Sequence, residues 1–160
     1  MPSISFVVSS PVGNLEACFE GRTLIGLSYT DKSPTSIPRH HAAQSLARQL
    51  TYYFSKDPKH HFKLQLELRG TDFQKRVWRV LRTIAPGSVL SYGQIARKLR
   101  SGPRAVGNAC GRNPISIIVP CHRVLASGGL GGYTGGTAAF EPLHTKAWLL
   151  GHESAPLRES

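Results

Sequence analysis

The sequence predicts a small α/β unit, an antiparallel sheet with one helix, followed by a mainly α unit containing a helix-turn-helix. Three observations predict it. Short runs of β-forming residues alternate with turn residues over the first thirty positions, the apolar period becomes helical near Thr71, and positive charge gathers after that change. Residues 1–68 hold seven Lys/Arg and five Asp/Glu, net +2, while residues 69–160 hold thirteen and four, net +9. The expected domains are therefore 1–68 and 69–160.

In the first domain, Ile4 to Val8, Leu15 to Phe19 and Leu24 to Tyr29 are apolar runs separated by Pro11-Val12-Gly13-Asn14 and Glu20-Gly21-Arg22, the pattern of a meander. Pro34 and Pro38 break the chain. Ala42, Ala43, Leu46, Leu50 and Tyr53 then recur at helical spacing, and Phe62, Leu64, Leu66 and Leu68 alternate with polar residues as a half-buried strand does. In the second domain, Phe73, Val77, Val80, Leu81 and Ile84 form one helical face, with Thr71 and Gln74 spaced for a capping box and Ala85-Pro86-Gly87 ending the helix. Ser91 can cap a second helix through Leu99, and Pro103 suits the first position of a third, Arg104 to Cys110. Two short helices around Ser101-Gly102-Pro103 in a basic region read either as a DNA-binding helix-turn-helix or as a plain helical hairpin, and the charge skew favours the first.

The 160 residues carry a formal charge of +11 and a pI near 10.1, which points to a polyanionic partner. No apolar run approaches the roughly 18 residues of a membrane span, and the start reads as strand, not signal peptide, so a cytoplasmic setting is expected. Cys18, Cys110 and Cys121 have no Cys-x-x-Cys spacing, and the pairs His40-His41 and His60-His61 have no further ligands at suitable spacing. Neither a disulfide scaffold nor a metal site is expected.

Chemistry concentrates after the third helix. Asn113-Pro114 precedes Ile115 to Val119, expected as a buried extended run, and then comes Pro120-Cys121-His122-Arg123-Val124. Cys121 is either a packing residue or a nucleophile. A nucleophilic thiol needs a base or a positive field, and His122 reaches it only through a turn or a bridging water. Glu153, in a last amphipathic helix with Lys146, Trp148, Leu149, Leu150 and His152, is either a solvated residue or the carboxylate that orients His122 and stabilises its protonated form. Ser127 to Gly136 is dense in glycine without a Walker A or G-x-G-x-x-G frame, so it is either a pocket wall or a plain surface loop.

The stretches GTDFQKRVWRVLRTIAPGSVLSYGQIA, RAVGNACGRNPISIIVPCHRV, GGYTGG and KAWLLGHE together resemble the O6-alkylguanine-DNA alkyltransferase family, across nearly all of residues 70 to 153. The resemblance implies a ribonuclease H-like first domain and a winged-helix-like second. It implies that Cys121 takes an alkyl group from O6 of guanine, and to a lesser extent O4 of thymine, in one irreversible displacement, so that one molecule repairs one lesion without a cofactor. Glu153 and His122 would act with a water to draw the thiol proton. Asn113 would hold the turn that carries the cysteine, and Tyr92 would donate to the departing guanine. The partner implied is double-stranded DNA containing O6-alkylguanine, bound by a monomer, with the damaged nucleotide flipped out of the stack. Arg104 would fill the space left behind, with Ala105 and Gly107 letting its helix lie close to the minor groove. Lys75, Arg79, Arg97, Lys98 and Arg100 are either phosphate contacts or a solvated face, and Tyr133, Thr134 and Gly135 would line the substrate pocket. Pro103 and Thr134 depart from the family pattern. Pro103 bears on how Arg104 approaches DNA, and the extra methyl of Thr134 on tolerance for bulky adducts.

Three other functions compete. A lesion-binding alkyltransferase-like protein would flag damage without the acceptor cysteine that Cys121 provides. A Cys-His-Glu amidohydrolase would turn over beyond one equivalent, and the sequence offers no evident oxyanion donor set for it. A sequence-specific regulator would need a dimer interface, and no heptad supplies one.

Overall fold

The computed structural model describes residues 2–126 and 143–158. Alternation of buried with less buried residues, clearest over Asn14–Glu20, produces the expected meander. Strands β1 (Ser3–Val8), β2 (Asn14–Glu20) and β3 (Thr23–Thr30) pair antiparallel in that order, with Leu15 opposite Tyr29 and Ala17 opposite Leu27. Leu15, Ala17, Phe19, Leu24 and Leu27 are buried in one cluster with Ala43, Leu46, Leu50 and Tyr53 of α1 (His41–Ser55). His40, one of the adjacent histidines, caps α1, its Nδ1 accepting from the Ala43 amide at 3.2 Å. His60 instead contacts Gln49 Oε1 at 2.9 Å.

The expected strand over Phe62 to Leu68 is corrected. These residues keep their alternating burial, but the segment makes only one isolated bridge, Leu66 to Leu24. The reason lies on β3, whose outer edge is shared. Leu24 exchanges backbone bonds with Gln65 and Glu67, at 2.9 and 3.0 Å, and three residues on Leu27 does the same with Pro114 and Ser116, at 2.9 and 2.8 Å. Two unrelated segments cap the edge, so neither builds a ladder.

After Gly70 the chain turns helical. A Cβ on Gly70 would lie 2.5 Å from Trp78 Cη2, so the indole packs where only glycine fits. The expected capping box at Thr71 and Gln74 opens α2 (Asp72–Leu81). The helix stops before Ala85-Pro86-Gly87 because the Thr83 and Ile84 amides turn back onto the Val80 and Leu81 carbonyls. A second capping box, Ser91 with Gln94, opens α3 (Tyr92–Leu99), and Pro103 is the first residue of α4 (Pro103–Gly111). Arg100 joins them in a left-handed conformation, φ 55°. Trp78 Nε1 donates to the Ala109 carbonyl at 2.9 Å and ties α2 to α4. A parallel pair, β4 (Leu90–Ser91) and β5 (Val124–Leu125), and α5 (Leu143–Arg158) complete the described chain.

The expected extended run Ile115 to Val119 is also corrected. It is buried but folded into turns, with Ile117 at φ 74°. The expectation of an amphipathic last helix changes as well, because the inward face of α5 is largely polar: Thr145, Lys146 and Glu153 are buried with Leu149, while Trp148 is exposed. Among the described residues no helix is long and apolar enough to cross a membrane. No group of three or more His, Cys, Asp or Glu gathers among them as metal ligands would.

Candidate active site

Asn113 builds the turn that carries the cysteine. Its Oδ1 accepts from the Ile115 amide at 3.0 Å, and its Nδ2 donates to the Val119 carbonyl at 2.7 Å and to Cys121 Sγ at 3.2 Å. One buried amide thus closes both ends of the loop and touches the sulfur. The loop needs such a clasp, because a β-branched residue at positive φ costs about 1–3 kcal/mol and persists only where its surroundings over-determine it. Around Ile117 those surroundings are the Ser116 amide bonded to Leu27 of the sheet and the Val119 amide bonded to the Ile115 carbonyl, at 2.8 and 3.0 Å. The β3 edge therefore fixes where the thiol sits.

From Pro120 the backbone enters a 3-10 turn, Cys121–Arg123, so the adjacent Cys121 and His122 side chains leave at different angles and both are fully buried. His122 Nε2 lies 2.8 Å from Glu153 Oε2. A carboxylate only accepts, so Nε2 carries hydrogen and the lone pair of the neutral ring falls on Nδ1. Nδ1 is buried and has no hydrogen-bond partner among the described residues.

Arg123 changes the electrostatics expected of this pair. Its Nε and Nη2 donate to the two oxygens of Glu153, each at 2.9 Å, and its Nη1 donates to the Ile84 carbonyl at 2.6 Å. Glu153 also accepts from Tyr53 Oη at 2.7 Å. The carboxylate is depressed below its ordinary range: burial opposes ionisation, but His122 and Arg123 together outweigh it. His122, in turn, is lowered, because burial outweighs the attraction of Glu153 and both Arg123 and Lys146 oppose a second cation. Glu153 still pulls toward protonated His122, but burial, with Arg123 and Lys146, outweighs that pull. Arg123 supplies the counter-charge, and the resting imidazole is neutral.

Tyr92, the first residue of α3, is half-buried, with the Lys146 ammonium 5.6 Å from its ring centroid. Burial, then the neighbouring Cys110 and Cys121, push its phenol up. Burial brings Lys146 down to about 8, against the pull of Cys121 and Cys110. Cys110 is buried on α4, and burial first, then Cys121, pushes its thiol up. Gly107 faces Tyr92, since a Cβ there would meet the ring at 3.9 Å. Arg104 is exposed in the first turn of α4, with Ala105 half-buried beside it. Arg79, Arg97, Lys98 and Arg100 are exposed and Lys75 is half-buried.

The structure thus brings Cys121, His122, Glu153 and Asn113 into one buried cluster, places Tyr92 and Gly107 against each other, and leaves Arg104 at the surface. Tyr133, Thr134 and Gly135 lie outside the described residues. Sequence reasoning missed Arg123, Tyr53 and Lys146. Lys146 was detectable, since it stands seven residues before Glu153 and so shares its helical face. Nothing in the sequence pairs Tyr53 with a residue a hundred positions away.

Residues 72–155 match the family model described as "6-O-methylguanine DNA methyltransferase, DNA binding domain". The methylated-DNA–protein-cysteine methyltransferase of Mycobacterium bovis is 44% identical over 137 residues, covering 81% of this chain and 82% of its own. The crystal structure of Mycobacterium tuberculosis O6-methylguanine methyltransferase superposes with a TM-score of 0.81 at 38% identity, covering 96% of this chain and 94% of that one. The structure of Mycobacterium tuberculosis OGT in complex with DNA gives 0.79 at 40% identity, covering 93% and 91%.

Proposed function

The chain belongs to the methylated-DNA–protein-cysteine methyltransferase family, and on that footing we propose that Cys121 is the sulfur that removes the alkyl group from O6-alkylguanine in duplex DNA. The protein repairs alkylated DNA by direct reversal, transferring the group to itself. O4-alkylthymine is a second substrate on this reading. The observation that carries it is the orientation of His122. With Nε2 committed to Glu153, the bare Nδ1 is the one basic lone pair of the ring, buried beside the cysteine in the same turn.

The thiol proton passes through a water to Nδ1, and the imidazolium that forms is stabilised by Glu153. The sulfur attacks the alkyl carbon as the bond from that carbon to O6 breaks. Tyr92 Oη donates to the departing guanine, whose negative charge is otherwise costly. Its raised phenol keeps that hydrogen in place at working pH. No acyl intermediate forms, and the thioether has no hydrolytic exit, so the reaction stops at one equivalent. Asn113 holds the sulfur through its 3.2 Å contact.

DNA is held by the basic second half, with Arg104 entering the stack behind the flipped nucleotide and Ala105 and Gly107 against the minor groove. Pro103, a departure from the family pattern, sits at the first helical position, where it organises the turn from which Arg104 projects. Exposed Arg79, Arg97, Lys98 and Arg100 meet phosphates. The chain acts as a monomer of two domains, 1–68 and 69–160. A ribonuclease H-like assignment of the first is supported by the meander and α1. A winged-helix-like assignment of the second is supported by α2, α3 and α4 beside the β4–β5 pair.

The test is Cys121→Ala with duplex DNA carrying labelled O6-methylguanine. Label should no longer pass to the protein while the DNA is still bound. Stoichiometric transfer by the variant would overturn the assignment.

A further inference from the structure

Glu153 draws one of its donors from outside the half of the chain that carries the cysteine. Tyr53, on the buried face of α1, gives its hydroxyl to Glu153 Oε2 at 2.7 Å, and both side chains are fully buried. The Tyr53 carbonyl also accepts from His152 Nε2 at 2.8 Å. A single residue therefore grips two consecutive positions of α5, one through its side chain and one through its backbone. The ring is fixed by Phe54, Phe62 and His152, with centroids 4.9, 5.6 and 5.1 Å away.

Those contacts would be served equally by phenylalanine. The hydroxyl adds something a packing residue lacks, because Oε2 also accepts from His122 Nε2 at 2.8 Å and from Arg123 Nη2 at 2.9 Å. Three donors converge on one oxygen, and whatever charge Tyr53 draws toward itself is withheld from the imidazole. Burial and the adjacent carboxylate raise the phenol, so it is a donor throughout the working range.

We propose that Tyr53 is a positioning residue for alkyl transfer, whose hydroxyl moderates the basicity of Glu153 and so keeps His122 ready to accept the thiol proton. This rests on the assignment of Cys121 as acceptor and His122 as its base. The other charged or titratable groups around the pair are Arg123 and Cys121 from the 3-10 turn, Lys146 and His152 from α5, and Tyr29 from β3, which bears on Tyr53. None of them is altered in Tyr53→Phe.

The experiment measures single-turnover methyl transfer from an O6-methylguanine duplex against pH, with intact mass as readout, for the full chain and for Tyr53→Phe. With the hydroxyl gone, Glu153 holds a protonated His122 more strongly. The acid limb of the profile should then move to higher pH, slowing transfer on that limb about three- to ten-fold while the high-pH plateau changes little. An unshifted limb, or equal slowing at every pH, would overturn the proposal. Absence of methyl gain by the wild-type chain would instead overturn the underlying assignment. A measurement independent of the variant is proton NMR of the wild-type chain. The Tyr53 hydroxyl should give a slowly exchanging downfield signal, and its absence would also refute the proposal.

Discussion

Replacing Arg123 with Met removes the guanidinium that faces Glu153 and leaves a buried carboxylate without its counter-charge. Arg123 makes three hydrogen bonds, two to the carboxylate and one to the Ile84 carbonyl, with its side chain only 9% exposed and that of Glu153 fully buried. Removing one member of a buried pair costs about 3–5 kcal/mol, because the remaining charge stays desolvated. In a chain of this size each kcal/mol lowers the melting temperature by about 2–4 °C, so the fall should be about 6–20 °C. Part of that cost is relieved by protonating His122, whose value rises once its cationic neighbour is gone. Transfer at neutral pH should slow and recover as pH is raised. Arg123→Lys separates charge from geometry. An ammonium restores the charge but cannot span both Glu153 oxygens and the Ile84 carbonyl, so it should lie between the other two proteins. Differential scanning calorimetry and single-turnover transfer from methylated duplex provide the two readouts. A melting temperature for Arg123→Met within about 2 °C of wild type would refute the assignment of Arg123 as the counter-charge.

Asn113→Ala should destabilise the chain by about 1–3 kcal/mol, since it orphans the Ile115 amide and leaves the Val119 carbonyl with only the Cys121 amide, and should slow transfer by releasing the sulfur; urea unfolding and transfer rate check both. Arg104→Ala should lower repair of duplex DNA far more than reaction with free O6-methylguanine, because only the duplex requires extrusion; equal loss on both substrates would contradict the role. Stability should also fall on acidification from pH 7 to 5. His122 is lowered from its ordinary 6.5, so the unfolded chain binds a proton that the folded chain refuses. The stabilisation is full above that unfolded value and is lost as pH falls toward the folded one, with a slope of at most about 1.4 kcal/mol per pH unit. Glu153, also lowered, adds a second loss of the same sign below its ordinary 4.5. A urea midpoint that stays constant or rises over pH 7 to 5, or His122→Asn showing the same loss as wild type, would contradict the buried neutral imidazole.

What the sequence made legible follows from how local each signal is. The meander, α1 and the helix starts rest on periodicity and caps within a few residues, and Thr71, Ser91 and Pro103 stand where their chemistry predicts. The failures are places where distant partners decide. Phe62 to Leu68 has a strand's alternation, yet β3 offers it only Leu24, because Leu27 is taken by the segment around Ile115. Ile115 to Val119 is apolar and β-branched, but the Asn113 amide and the sheet edge bend it into a turn against its propensity. The site divides the same way. Cys121, His122, Asn113 and Glu153 were singled out because the stretches that hold them resemble the alkyltransferase family, whereas their spacing alone left Cys121 and Glu153 open. Arg123 stands inside one of those stretches without its role being apparent, since only the fold reveals that its fork closes on Glu153. Tyr53 reads as one more apolar position of a helical face.

Intact mass spectrometry of the full chain after exposure to excess O6-methylguanine duplex tests the central claim most directly. The mass should rise by one methyl replacing one hydrogen and no more, with the gain mapped to the peptide containing Cys121. An unchanged mass while the DNA is demethylated, or a methyl found on Cys18 or Cys110 instead, would contradict it.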